Sequence, residues 1–149
     1  NTISDNKIWS RYLKKPDRYI QNKTDKINKK FNKYKKNVIF CTLLLSDDNK
    51  IKKLNKKFRK KNKPTDVLSF PFYNQKELKK KLKTEKEIYL GDIIINLNEI
   101  KNKKDKNKFK SELNKIWIHG LVHLFGYNHK KDKDFFEMNK IEKKFLSFI

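Results

Sequence analysis

His119-Gly-Leu-Val-His123-Leu-Phe-Gly126-Tyr-Asn-His129 contains all three histidines of the chain within eleven residues. His119 and His123 are four apart, so on a helix they share one face, with Cβ atoms about 5–6 Å apart. Two imidazoles so placed can converge on one ion through Zn–N bonds of about 2.0–2.1 Å. Gly126 permits the left-handed backbone that ends a helix and turns the chain back. His129 can then reach the same ion from outside the helix. Three protein donors leave a fourth tetrahedral position open to water, the arrangement of a catalytic zinc rather than a structural one. The bland alternative is two histidines in a core helix and one in a loop. It leaves the spacing, the glycine and the lack of any other histidine unconnected.

Outward from this stretch the chain mixes helices and strands. Leu113, Ile116, Trp117, Leu121, Val122 and Phe125 mark a largely buried helix from about Phe109 to Phe125, opened by the basic run Lys101–Lys110. A final helix from about Asp132 is expected to turn Phe135, Met138, Ile141, Phe145 and Phe148 toward the core. Upstream, Ile88–Ile95 and Asp66–Phe72 read as strands, the second bounded by prolines and suited to a sheet edge. Lys76–Lys86 between them is a mobile loop or a short helix. Val38–Ser46 is long and apolar enough for a buried strand. Ser46 or Asp47 then caps a helix with Ile51, Leu54 and Phe58 on one face. Ile20, Ile27, Phe31 and Tyr34 predict an amphipathic helix over Asp17–Lys36, and Asn1–Lys15 has little pattern. Without regular βαβ alternation, the class is α+β: a single domain with a small mixed sheet packed against helices.

The 149 residues suit one domain. A hydrophobic fraction of 36% against 38% charged predicts a heavily solvated surface around a core built from clustered apolar runs. Forty Lys+Arg against 17 Asp+Glu give a formal charge of +23. Such an excess favours a polyanion, either nucleic acid or an anionic membrane surface. Coding biased toward A and T would also raise lysine, and only Arg11, Arg18 and Arg59 are arginine. The lone Cys41 lies in an apolar run and allows no internal disulfide, which fits a reducing cytoplasm. No stretch approaches the ~18 apolar residues of a membrane span, and no signal-peptide pattern opens the chain. Because it begins at Asn1 rather than Met, a short upstream piece is expected to be missing.

The spacing His-x3-His-x2-Gly-x2-His is that of the metzincin zinc site, but the glutamate those peptidases carry after the first histidine is here Gly120. More specifically, the cluster resembles the His-Gly-x-Leu/Val-His-Leu-x-Gly-Tyr-Asp-His signature of the YbeY family, bacterial endoribonucleases of ribosomal RNA maturation. Phe58-Arg59 followed by Lys63-Pro-Thr-Asp-Val-Leu-Ser-Phe-Pro71 resembles the family's other distinctive block. Leu90-Gly-Asp-Ile93 resembles the strand before its core helix. Met138 and Glu142 stand where the family has a methionine and an acid. The likeness is strongest over 38–142. Asn128 departs from the family's aspartate, and the family's opening strand has no evident counterpart before Asp17, so it is expected in residues absent from this chain.

The resemblance implies hydrolysis of RNA phosphodiesters, with zinc on His119, His123 and His129 lowering the pKa of bound water toward about 7. Arg59 and His119 are the candidate catalytic residues. The planar fork of Arg59 can grip two phosphate oxygens as charge builds in the transition state. Asp66 and Asp92 could orient a ligand histidine through its second nitrogen or be ordinary strand-end acids. Ser69 reads as structural, and Tyr127 as packing rather than stacking on a base. Lys60–Lys63 and Lys101–Lys110 could follow an RNA backbone or be solvated loops. The expected partners are ribosomal RNA and the small ribosomal subunit, with no membrane partner, and the expected location is cytoplasmic. The alternatives are a ribosome-associated, RNA-binding assembly factor with a structural zinc, or another metal-dependent hydrolase, of which a peptidase is the less favoured.

Overall fold

Val38–Ser46 forms strand β2, whose side chains alternate between the two faces of a sheet. Leu43 and Leu45 are buried on one face, whereas Val38 and Phe40 on the other are exposed. The strand is therefore buried only toward its C-terminal end, not along its length as its apolar composition suggests. The computed structural model describes residues 2–4, 8–31, 34–129 and 132–149. A short strand, β1 (Thr2–Ser4), pairs in parallel with Leu43–Leu45. On the other side β2 pairs in parallel with β4 (Glu87–Asn96), which pairs antiparallel with β3 (Val67–Pro71). The order β1-β2-β4-β3 makes a mixed four-stranded sheet, and the α+β class holds. The expectation that the opening strand lay outside the chain is corrected by β1. Three residues are too few to show a period in the sequence.

Helices cover the two faces unequally. One face carries the main core, where α1 (Trp9–Tyr12), α2 (Pro16–Lys30), α5 (Lys106–Leu124) and α6 (Asp132–Leu146) contribute Trp9, Ile20, Trp117 and Phe145 against Leu45 and Ile95. Trp9 is fully buried and its indole N–H donates to the Ser46 carbonyl at 3.0 Å, fixing α1 to the end of β2. The opposite face carries a small cluster in which Ile51 of α3 (Asp48–Arg59) meets Leu68 and Ile94. Asp47 caps α3 by accepting from the Asn49 and Lys50 amides. The charged stretch after β3 is a helix, α4 (Gln75–Thr84), started by a capping box between Asn74 and Glu77 and anchored by buried Leu78.

One expected face is corrected: Phe135 is exposed, because α6 buries the Met138–Phe145 side instead. Ile51, Leu54 and Phe58 do share a face of α3, with Phe58 exposed at the helix end and its ring 5.0 Å from that of Phe70. Helix α2 stops at Lys30, and Tyr34 lies beyond it. No helix among the described residues is long and apolar enough to cross a membrane.

A bulge in β4 sets which side chains face which layer. Phe40 pairs with Tyr89 but Thr42 pairs with Asp92, so β4 carries one extra residue opposite Cys41. Ile88 and Leu90 before the bulge and Ile93 and Ile95 after it all join the main core. Tyr89, Asp92 and Ile94 take the other face. Gly91 makes this possible: its φ is +127°, and a Cβ there would lie 2.1 Å from the Phe70 carbonyl oxygen. Gly91→Ala is therefore expected to lower unfolding free energy by about 2–5 kcal/mol, combining backbone strain and overpacking. A urea midpoint unchanged from the parent protein would contradict this account of the bulge.

Candidate metal centre

Helix α5 lies close against the sheet because Gly120 has no side chain. A Cβ at that position would sit 2.7 Å from Ile93 Cγ2 and 3.2 Å from Ser69 Oγ. The position that bears the metzincin glutamate thus faces the sheet and has no room for an acid. Ser69 is buried at this contact and is structural, as expected.

The helix ends in a Schellman motif. The Gly126 amide donates to the His123 carbonyl at 2.9 Å, and the Tyr127 amide donates to the Val122 carbonyl at 3.3 Å. Gly126 has φ +85°, and a Cβ there would press on Gln75 of α4 at 2.9 Å. This turn returns Tyr127 beside the last helical turn, where its carbonyl accepts the His123 Nδ1 proton at 2.9 Å. His119 Nδ1 lies 2.7 Å from the Glu142 carboxylate on α6.

These two contacts set the tautomers. A carbonyl and a carboxylate oxygen accept, so in the neutral form of each ring Nδ1 carries the proton and Nε2 presents a lone pair. The two Nε2 atoms are 3.1 Å apart. Two lone pairs facing each other at that distance repel unless a cation lies between them. Zn–N bonds of about 2.0–2.1 Å at a tetrahedral angle put nitrogen atoms roughly 3.3 Å apart. His129 completes the group: the donor atoms of the three histidines lie within 4.8 Å of one another. Among the described residues no fourth His, Cys, Asp or Glu joins them. The donor set therefore fits a metal ion with an open position.

Burial holds the His123 imidazole below its ordinary pKa against the Tyr127 carbonyl, and the Arg59 guanidinium, like His119 and His129 whenever they are protonated, pushes it the same way as burial. Arg59 is thus within electrostatic reach of the histidines. It is the exposed last residue of α3. Buried Asn55, four residues earlier, donates to the Lys63 carbonyl at 2.7 Å and ties the basic loop that follows Arg59 back onto the helix.

The acids singled out in the sequence do not orient the histidines. Asp66 accepts from the Thr65 hydroxyl at 3.0 Å and the Val67 amide at 2.8 Å, and Asp92 accepts from the Tyr89 hydroxyl at 2.5 Å on the opposite face of the sheet. Glu142 and the Tyr127 carbonyl do that work instead. The signal for Glu142 was an acid on the same stripe of α6 as Met138, Ile141 and Phe145, where an unpaired charge would be costly. The Tyr127 ring packs against the main core. Asn128 is exposed, and neither Nδ1 contact depends on a carboxylate there. A cleft of about 600 Å³ between α2 and the start of β2 shares no residue with the histidines. It is lined mainly by core side chains, and the chemistry lies with the histidines.

The sequence profile of endoribonuclease YbeY matches residues 4–149. The chain belongs to the YbeY endoribonuclease family. The solution structure of TM1509 from Thermotoga maritima is similar, with a TM-score of 0.60 and 29% identity, over 99% of this chain and 86% of that one. A comparison with curated protein sequences finds no match. As a YbeY protein the chain falls among hydrolases that cut RNA internally in ribosomal RNA maturation.

Partners of ligand histidines commonly contribute 10–100-fold to metal affinity. Glu142→Ala is expected to weaken zinc binding by roughly that factor in calorimetric titration, with Glu142→Gln, which still accepts, recovering part of it. Unaltered affinity in both variants would contradict the orienting role. The depressed pKa of His123 has a second consequence. Its neutral form favours the metal-free fold above the ordinary imidazole value, about 6.5, and that contribution is lost as pH falls through the lower folded value. The Tm of the metal-free protein should therefore fall as pH drops below about 6.5, and His123→Gln should flatten the fall. A parallel decline in both proteins would contradict it.

Proposed function

We propose that this chain is a zinc-dependent endoribonuclease selective for single strands, acting in maturation or quality control of small-subunit ribosomal RNA in the cytoplasm. The observation that carries the reading is the 3.1 Å approach of the His119 and His123 Nε2 atoms, with His129 completing three donors and no fourth among the described residues. When bound, such an ion supplies Lewis-acid activation of water and of a phosphoryl oxygen near neutral pH. His119, His123 and His129 would hold it, and Glu142 and the Tyr127 carbonyl keep two of those imidazoles in the ligand tautomer.

Arg59 serves the phosphate. Its charge already acts on His123, and its fork can meet two oxygens of a phosphodiester as negative charge develops. Lysines of the loop after it can neutralise flanking phosphates. Three donors rather than four weigh against a purely structural zinc in an assembly factor. The lack of room at Gly120 weighs against peptidase chemistry, because the general base of the metzincin frame has no place there.

Metal analysis joined to RNA cleavage tests this reading. We expect about one zinc per chain, and cleavage abolished by chelation and by His123→Ala. Arg59→Ala should reduce turnover by about 10²-fold or more, the scale of losing one group that stabilises developing charge, with metal content unchanged. Cleavage that persists in the metal-free protein, or equal loss of zinc and turnover in Arg59→Ala, would refute it.

A further inference from the structure

Helix α3 covers only part of its face of the sheet, and the uncovered part carries aromatic rings. Leu44, Leu68, Phe70 and Ile94 pack with Ile51 and Leu54 beneath the helix. Beyond them, toward the starts of β2 and β4, the same face bears Val38, Phe40, Thr42, Tyr89, Asp92 and Phe72, and among the described residues no helix covers the exposed side chains of Val38, Phe40 and Phe72. Phe40 is 43% and Phe72 66% exposed. Their rings flank Tyr89, Phe40 from β2 and Phe72 from the residue just after β3, with centroids 5.4 and 6.0 Å from its own. The β4 bulge creates this row, because it returns Asp92 to the face that Tyr89 occupies. Tyr89 is held upright there, donating to Asp92 at 2.5 Å with Thr42 Oγ1 3.0 Å from its hydroxyl.

We propose that this half-face is a stacking platform for the bases of single-stranded RNA. Rings spaced across adjacent strands of an open sheet offer π-faces to successive bases, as in four-stranded RNA-binding modules. Charge complementarity points to a polyanion. Where α3 ends over Phe70, exposed Phe58 stands 5.0 Å from that ring, and the segment from Lys56 to Lys63 holds six cations in eight residues. The Lys57 ammonium lies over the Phe58 ring. The face also carries two acids: Glu87 at the start of β4, and Asp92, whose carboxylate is engaged by Tyr89. Arg59 lies within the cationic segment and also acts on His123, so one strand can run from the platform past Arg59 to the histidines. The proposal rests on the reading of the site as a nuclease only for the identity of the strand's owner, since binding does not require cleavage.

The test measures fluorescence anisotropy of a labelled, unstructured RNA of about twelve nucleotides, with the full chain and a chelator present so that cleavage plays no part. Phe40→Ala and Phe72→Ala should each weaken binding about five- to tenfold, the scale of losing one base stack. Phe40→Tyr and Phe72→Trp should restore it. The salt dependence of binding should stay as in the parent chain, because phosphate contacts are untouched, and affinity for a duplex of equal length should not change. All four variants alter one of two exposed rings, and circular dichroism checks that each is folded. Affinity within twofold of the parent in the folded Phe40→Ala and Phe72→Ala variants would overturn the platform. So would sedimentation showing that these changes split a dimer while RNA affinity is kept, which would make the face a contact between copies. Ring-dependent binding by a chain that cuts no RNA would support the platform while refuting the nuclease reading.

Discussion

In the neutral rings of His119 and His123 the Nδ1 proton is taken by an acceptor, so two Nε2 lone pairs face each other across 3.1 Å, and the local structure is arranged to keep them so. Each ring is turned by an acceptor at its far nitrogen, a carboxylate from α6 for His119 and a main-chain carbonyl for His123. Such a pair is unfavourable alone and favourable around a cation, so the arrangement stores a preference for one kind of occupant. It also explains the role of the surrounding glycines. Gly120 lets α5 sit against the sheet, and Gly126 turns the chain so that Tyr127 returns to His123 and His129 returns to the cluster.

The sheet has two faces with different tasks. On one, α1, α2, α4, α5 and α6 bury a large apolar cluster that fixes α5 and α6 relative to each other and hence Glu142 relative to His119. On the other, α3 buries a small cluster and brings Arg59 to the rim near the histidines. A single inserted residue at the β4 bulge reconciles the two, since it allows both halves of that strand to send isoleucines and leucines into the main core.

Much of this was legible in the residues. The i,i+4 histidines and the glycine three residues on carry their geometry in their spacing, because a helix and its left-handed end leave few alternatives. The long strands and the later helices announced themselves by periodicity. What stayed hidden depended on partners distant in sequence or on very short elements. Thr2–Ser4 is a strand only because Leu43–Leu45 offers an edge to pair with. Glu142 is 23 residues from the histidine it orients, and only α6 docking on α5 brings them together. Asp92 looked equally suitable, but the bulge at Gly91 sends it to the other face. Phe135 fits the period of α6 as well as Met138 does, and which of them is buried is decided by the angle at which the helix packs.

The family assignment and the geometry meet at the tautomers of His119 and His123, and nitrogen NMR of the histidine rings tests them most directly. Two-bond proton–nitrogen spectra of the metal-free protein should show the proton on Nδ1 of both residues, and one equivalent of zinc should shift both Nε2 resonances together with a ring nitrogen of His129. Protons found on Nε2 before zinc is added, or three rings left unshifted after it, would contradict the account.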